Sequence, residues 1–243
     1  MAKVDVYILA EEGQNRNIDR LKELFSSDIF DVKIINLDGD TDLLGWCLEE
    51  TNIYHPDRDV LYIRGNSVSN ICKQKLEDIV TFINNKCNSF DLFYMCRWND
   101  DCQKMIDVKY YPFLDVHIGR TYSPQGLQAI YFSKKGRDII LGKLNTHSGK
   151  KLSLDYKIHE DRILIDHIKK GDIVAHCVVN NIFNYDISSA TKNSDFNKLS
   201  LCKNMDNPDS DNEPQTNNLN YIWFVLVVII VIMFTFAIIR IGR

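Results

Sequence analysis

The chain has 243 residues, 29 Lys+Arg against 33 Asp+Glu, a formal net charge of −4 and 45% hydrophobic residues, enough for one medium domain with a sizeable core. Charges of both signs are scattered, so no basic surface of the kind that binds phosphate backbones is present, and nucleic acid is set aside as a partner. Seven cysteines, an odd number and widely spaced without a CxxC pair, suggest neither a zinc site nor a disulfide framework and fit a reducing compartment. The abundance of Asn, Ile, Asp and Lys is the imprint of an AT-rich genome.

At the N-terminus, MAKVDVYILAEEG has a short apolar run broken by Asp5 and followed by Glu11 and Glu12, which reads as a buried strand over 4–10 and not as a signal peptide. Residues 17–25 place Ile18, Leu21, Leu24 and Phe25 at helical spacing, and a second strand follows over 31–37. A third strand is expected over 59–64. In the helix at 73–84, Leu76, Ile79, Val80 and Ile83 lie on one stripe. Further strands are expected at 91–97 and 128–133, a helix over 134–144, a helix over 160–169 and a strand over 172–179. This order, with strands apolar almost throughout, predicts an α/β fold: a mostly parallel sheet with helices on both faces. Ligands of such sheets sit beyond the carboxyl ends of the strands.

Residues 194–220 are polar, with Pro208, Asp209, Asp211, Glu213 and Pro214 close together, and read as a disordered stalk. From 221 to 239 there are nineteen residues without a charge, fourteen of them Ile, Val, Leu or Phe. A helix of that length spans about 28 Å. Its insertion is favoured by roughly 4–8 kcal/mol. Tyr221 and Trp223 at one end and Arg240 and Arg243 at the other are interfacial flanks. The expected organisation is a domain over 1–193, a stalk over 194–220, one transmembrane helix over 221–239 and a basic tail over 240–243. A tail anchor leaves the large domain cytosolic, and the lack of an N-x-Ser/Thr sequon agrees with that side. The positive-inside rule points the other way, because it puts Arg240 and Arg243 in the cytosol.

The opening VYILAEEGQNRNIDRLKELFSSDIFDVKIINLDG resembles the start of the glycosyltransferase family 25 proteins, the lipopolysaccharide and collagen sugar transferases. Later segments keep the family's order: GWCLEETNIY, VLYIRGNSVSN, FDLFYMCRW, AIYFSKKGRDIIL and LDYKIHEDRILIDHIKKGDIVAHCVVNNIF. The resemblance covers about residues 4–186. It implies a GT-A-like fold, a nucleotide-sugar donor and a divalent metal such as Mn²⁺ held by carboxylates, because the departing diphosphate concentrates negative charge. The family's Glu-Asp-Asp run after the third strand is replaced here by Arg64, Gly65, Asn66 and Ser67. A guanidinium and an amide do not substitute for that site. The family's His in the preceding helix is also missing, with Glu49, Glu50 and Thr51 near its place.

Asn99, Asp100 and Asp101 lie just past the strand at 91–97, where Asp100 and Asp101 suit a displaced metal site, although such clusters are also ordinary turn chemistry. Arg64 or Arg97 suits a diphosphate bound without metal, since a guanidinium offers paired donors. The plainer alternative is pairing with nearby carboxylates. Asp155 occupies the place of the family's late-strand Asp, where a carboxylate orients a sugar hydroxyl or acts as a base. His159, Glu160 and Asp161 read as the start of a helix, His176 and Cys177 as core residues of a strand, and Lys134 and Lys135 as a solvated turn. Neither a Walker loop nor a Gly-x-Gly-x-x-Gly run occurs.

Two functions follow as expectations. One is a membrane-anchored, glycosyltransferase-like protein still transferring sugar from an altered site. The other is a fold without catalysis, serving as a membrane-tethered binding or structural protein. The composition and architecture suit a membrane protein of a large DNA virus, and a coat or fusion role would require an exposed apolar patch on the domain.

Overall fold

Every position of β1 (Val4–Ala10) is buried, as a strand must be inside a sheet covered on both faces. The computed structural model describes residues 3–10, 15–36, 43–86, 89–152, 160–186 and 200–202. After β1 come α1 (Asn15–Leu24), β2 (Phe30–Asn36), α2 (Leu43–Tyr54), β3 (Asp59–Arg64), β4 (Ser67–Ser69), α3 (Lys73–Asn85) and β5 (Leu92–Trp98). The second half holds β6 (Ile106–Tyr111), β7 (Val116–Arg120), β8 (Gln125–Phe132), α4 (Lys134–Ile140), α5 (Glu160–Lys169), β9 (Ala175–Val178) and β10 (Phe183–Tyr185).

Eight strands form one sheet in the order β2-β1-β3-β8-β5-β9-β7-β6, and β4 with β10 forms a separate antiparallel pair. β1 runs parallel to β2 and β3, and β5 runs parallel to β9. Between these groups β8 is inserted antiparallel to both β3 and β5, and β7 and β6 extend the far side with antiparallel pairing. The mostly parallel sheet expected from the sequence is therefore a mixed one. A parallel return needs a crossover of a dozen or more residues, usually helical. The chain between β5 and β8 holds a 3-10 turn at Cys102–Lys104 and the β6–β7 hairpin, with no α-helix.

Helices cover both faces, as the strands' continuous apolar character requires. On one face Ile18 and Leu21 of α1 and Leu76, Ile79 and Ile83 of α3 share a core with Val6, Ile8, Leu61 and Ile63. On the other, Leu48 of α2, Ile139 of α4 and Leu164 of α5 pack with Leu9, Val60, Tyr94 and Ile130. α2 escapes a periodicity search because its apolar residues lie all around it: Leu44, Cys47, Leu48 and Thr51 are buried while Trp46, Ile53 and Tyr54 are exposed. α4 ends at Ile140, earlier than expected, because Gly142 takes a left-handed conformation (φ 69°) in which a Cβ would meet the Leu152 carbonyl at 2.7 Å.

At the amino ends of the parallel strands a row of aspartates ties the loops together. Asp5, fully buried, accepts from Thr51 Oγ1 (2.9 Å) and Arg58 (2.7 Å) and pairs with His55 Nδ1 (2.8 Å). Asp59 accepts from the Lys134 amide (2.6 Å), Asn84 (3.2 Å) and the Tyr131 hydroxyl, and its burial pushes its pKa up. Asp91 accepts from the Val174 amide and pairs with His147 Nε2, both at 2.8 Å. Asp172 pairs with His167 Nδ1 (2.9 Å) and with the Ser148 hydroxyl, and these hold its pKa below the usual carboxylate range. Buried carboxylates are tolerated only with such partners.

The β8–α4 junction is tightly fitted. The Ser133 hydroxyl caps α4 by accepting from the Gly136 amide at 3.0 Å. A Cβ at Gly136 would stand 2.1 Å from the Asp91 carbonyl oxygen. Gly136→Ala is expected to destabilise the fold by about 2–3 kcal/mol, the cost of forcing a helix off its sheet. Urea denaturation measures it, and a change below about 0.5 kcal/mol, the range of neutral surface substitutions, would show that the contact relaxes freely.

The cysteine expectation does not hold. Cys102 is disulfide-bonded to Cys202, with Cα atoms 5.5 Å apart, so a disulfide does form and the cysteine argument for a reducing compartment lapses. Residues 200–202, placed in the stalk by the sequence reading, are held against the domain. The Asn99 amide donates to the Ser200 carbonyl (2.8 Å) and the Asp100 amide to that of Leu201 (3.2 Å). No helix among the described residues is long and apolar enough to cross a membrane; the span expected at 221–239 lies outside them.

Candidate functional site

The carboxyl end of β3 lies where a sheet of this kind presents its ligands. There the Gly65 amide donates to the Leu9 carbonyl (2.7 Å), joining the end of β3 to β1. Asn66 and Ser67 follow, both buried, and β8 brings the buried side chain of Gln128 against them. Gln128 Nε2 donates to Asn66 Oδ1 and to Ser67 Oγ (2.8 Å), and Ser67 Oγ donates to the Gln128 carbonyl (3.3 Å). The Asn66 carbonyl accepts from the Asp186 amide at 2.8 Å, and Asp186 Oδ2 accepts from Asn17 Nδ2 of α1 at 2.7 Å. A closed knot of amides and hydroxyls thus joins α1, β3, β8 and the segment after β10. The resemblance singled out Asn66 and Ser67, but nothing in the sequence pattern marked Asn17, Gln128 or Asp186, which are distant in sequence, as members of the knot.

Beside the knot runs a groove of about 660 Å³ between α1 and the β4–α3 segment, lined among others by Arg20, Glu23, Ser67, Ser69, Cys72 and Lys73. Further along the same edge Trp98 packs on Gly126, where φ is +92° and a Cβ would stand 2.2 Å from the indole nitrogen. Only glycine fits there. Asn99, itself in a left-handed conformation (φ 45°), donates to Gln125 Oε1 at 3.2 Å.

Arg64 is half-buried at the end of β3. Arg97 is fully buried and is not presented to a diphosphate: its guanidinium forms an ion pair with Asp100 (3.2 Å) and donates to the Val179 (3.2 Å) and Leu201 (3.5 Å) carbonyls. Asp100, equally buried, accepts from the Thr121 hydroxyl and the Ser123 amide (2.8 Å) in addition to that ion pair. With a cation and two donors already on it, the carboxylate does not fit a metal ligand, because a hard cation needs oxygens that are not already neutralised. Asp101 is paired with Lys104 at 2.9 Å, a quarter exposed. The plain alternative, turn chemistry and local ion pairing, describes Asp100 and Arg97. Asp155 lies outside the described residues.

Among the described residues one group has three potential metal ligands within reach of each other: Asp5, Asp31 and His55. It sits at the opposite, amino edge of the sheet. Arg58 Nη1 lies between its carboxylates, 2.7 Å from Asp5 and 2.8 Å from Asp31, and holds the Asp31 pKa below the ordinary range. The guanidinium already supplies the positive charge that a metal would bring. His176 is half-buried on β9 beside Phe90, and burial, assisted by Arg120, lowers its pKa. Cys177 next to it is buried, with its thiol pushed up to about 11, far from the reactive range.

No family model matches the chain, and no curated protein matches it. Among solved structures it is similar to the crystal structure of A197 from STIV, at 12% sequence identity over 72% of this chain and 81% of that one, with a TM-score of 0.41. A likeness at that level says nothing about function.

Proposed function

We propose that this chain is a membrane-tethered protein built on a glycosyltransferase-like, GT-A-like α/β domain in which metal-dependent sugar transfer is altered or lost, and that it works mainly by binding. The carrying observation is the end of β3. Where the family resemblance calls for an acidic run, Arg64 stands beside Asn66 and Ser67, and those two are closed against Gln128. Support for the ancestry comes from the segments that carry the resemblance. VLYIRGNSVSN covers β3 and β4, FDLFYMCRW covers β5, and AIYFSKKGRDIIL covers the end of β8 and α4, in the expected order. Support for the tether comes from the nineteen uncharged residues at 221–239.

A second reading is favoured by the position of Arg64: transfer without metal, in which its guanidinium holds the donor diphosphate and Asp155 serves as the base. Thermal unfolding of the full chain in detergent with UDP, GDP or CMP, each with and without Mn²⁺, separates the readings. A ligand at a hundred times its dissociation constant adds about 2.7 kcal/mol. The expected result is no shift that depends on Mn²⁺. A shift with nucleotide alone would favour metal-free transfer, and one requiring nucleotide and metal together would overturn the loss of the metal site.

A further inference from the structure

At the far edge of the sheet, β6 is exposed at all but its last position, yet it is not a polar strand. Ile106, Val108 and Tyr110 are 51%, 47% and 49% exposed, and Phe113 in the following turn is 69% exposed. Phe113 rests edge-on against Phe82 and Tyr111, so the ring is held outward rather than left free to fold back. Lys109 lies between Val108 and Tyr110, and the His117 ring packs at a tilt against Tyr110, centroids 4.8 Å apart. The strand also carries Asp107, and the Tyr110 hydroxyl donates to Asp115 at 3.0 Å; apolar and aromatic residues alternating with charged ones, a long cationic side chain among them, suit a surface that rests in the interfacial zone of a bilayer, where Lys reaches its charge back to water.

The described chain ends close to this rim. The last described residue, Cys202, is bonded to Cys102, and Cys102 begins the 3-10 turn that leads into β6 at Ile106. The last described residue is therefore tied to the start of this hairpin. Eighteen residues separate Cys202 from Tyr221, at most about 60 Å of chain. A second copy pairing edge to edge is disfavoured by the bulge between Ile106 and Lys109, with Asp107 at φ 56°: bulges twist an edge strand away from a straight partner.

We propose that the β6–β7 hairpin is a second membrane contact, with Ile106, Val108, Tyr110 and Phe113 seated in the headgroup zone of the same bilayer that holds residues 221–239. This rests on the membrane-tether reading above. The hairpin then fixes which face of the domain turns to the lipid and leaves the groove beside α1 open to a partner in solution.

The test uses the full chain in phosphatidylcholine vesicles containing brominated lipid, which quenches tryptophan at the depth of the bromine. In the wild type, Trp223 reports the tether. In a Trp223→Phe background, Phe113→Trp reports the hairpin, and Tyr110→Trp gives a second position should the first variant fold poorly. The expected result is quenching of the added tryptophan well above the Trp223→Phe baseline. If Trp223 is quenched and neither added tryptophan is, the hairpin contact is overturned while the tether stands. If Trp223 itself is not quenched, the tether reading falls and this proposal with it. A dimer in detergent that shields both added tryptophans from an aqueous quencher would overturn the proposal in favour of a second copy.

Discussion

Arg97→Leu is expected to lower the unfolding free energy of residues 1–205 by about 3–5 kcal/mol, the usual consequence of leaving one member of a buried ion pair without its partner. Both side chains of the Arg97 and Asp100 pair are fully buried. Removing the guanidinium leaves Asp100 with the Thr121 hydroxyl and the Ser123 amide as its remaining partners. The same substitution frees the Val179 and Leu201 carbonyls. Arg97 Nε is buried and has no hydrogen-bond partner among the described residues, so the arginine itself carries a desolvation cost. The double variant Arg97→Leu with Asp100→Leu should therefore recover much of the loss, because an apolar pair of similar volume is often neutral where a broken pair is not. Urea denaturation of the two single variants and the double variant gives the coupling. A loss under about 1 kcal/mol for Arg97→Leu, the range of exposed pairs, would mean that water reaches this site. The turn at 99–101 would then again be a candidate for ligand binding.

Replacing Cys102 and Cys202 together by serine should cost about 4–5 kcal/mol, since the bond joins residues 100 apart in sequence and a closed loop of that length removes about 4.7 kcal/mol of unfolded-chain entropy. For a domain of this size that corresponds to a fall in melting temperature of roughly 10–20 °C. Reduction of the wild type should give the same shift. A change of less than about 1 kcal/mol would mean that the unfolded chain already holds these ends together. Alkylating free thiols in intact cells before lysis adds the orientation. A bonded pair in the cell places the domain on an oxidising side, consistent with Arg240 and Arg243 in the cytosol. Free thiols place the domain in the cytosol.

How much of this was legible in the sequence depended on whether the signal was local. The strands 4–10 and 59–64 and the helix 160–169 were read with the bounds observed, because apolar runs and three-to-four spacing are properties of a few adjacent residues. Strand direction is not: β8 is as apolar as its neighbours, and only the missing helix between Trp98 and Gln125 makes it run against them. The β6–β7 hairpin was missed because its alternation is broken by a bulge and the apolar residues Ile106, Val108 and Tyr110 of β6 are exposed. The pairing of Cys102 with Cys202 spans 100 positions, and no spacing rule reaches that far.

The same division holds for the candidate site. The sequence by itself determined that an Arg-Gly-Asn-Ser run replaces the acidic residues the family resemblance called for, and that a nineteen-residue uncharged stretch follows a polar one, since side-chain chemistry is written directly in the residue types. Only the tertiary structure decided that Arg97 neutralises Asp100 and that Asn66 and Ser67 are closed by Gln128 from β8. It also decided that Cys202 is bonded to Cys102, next to the exposed strand β6. A buried polar group is satisfied by whichever partner the fold brings within 3 Å or so, and that partner is chosen by packing of distant segments rather than by sequence proximity.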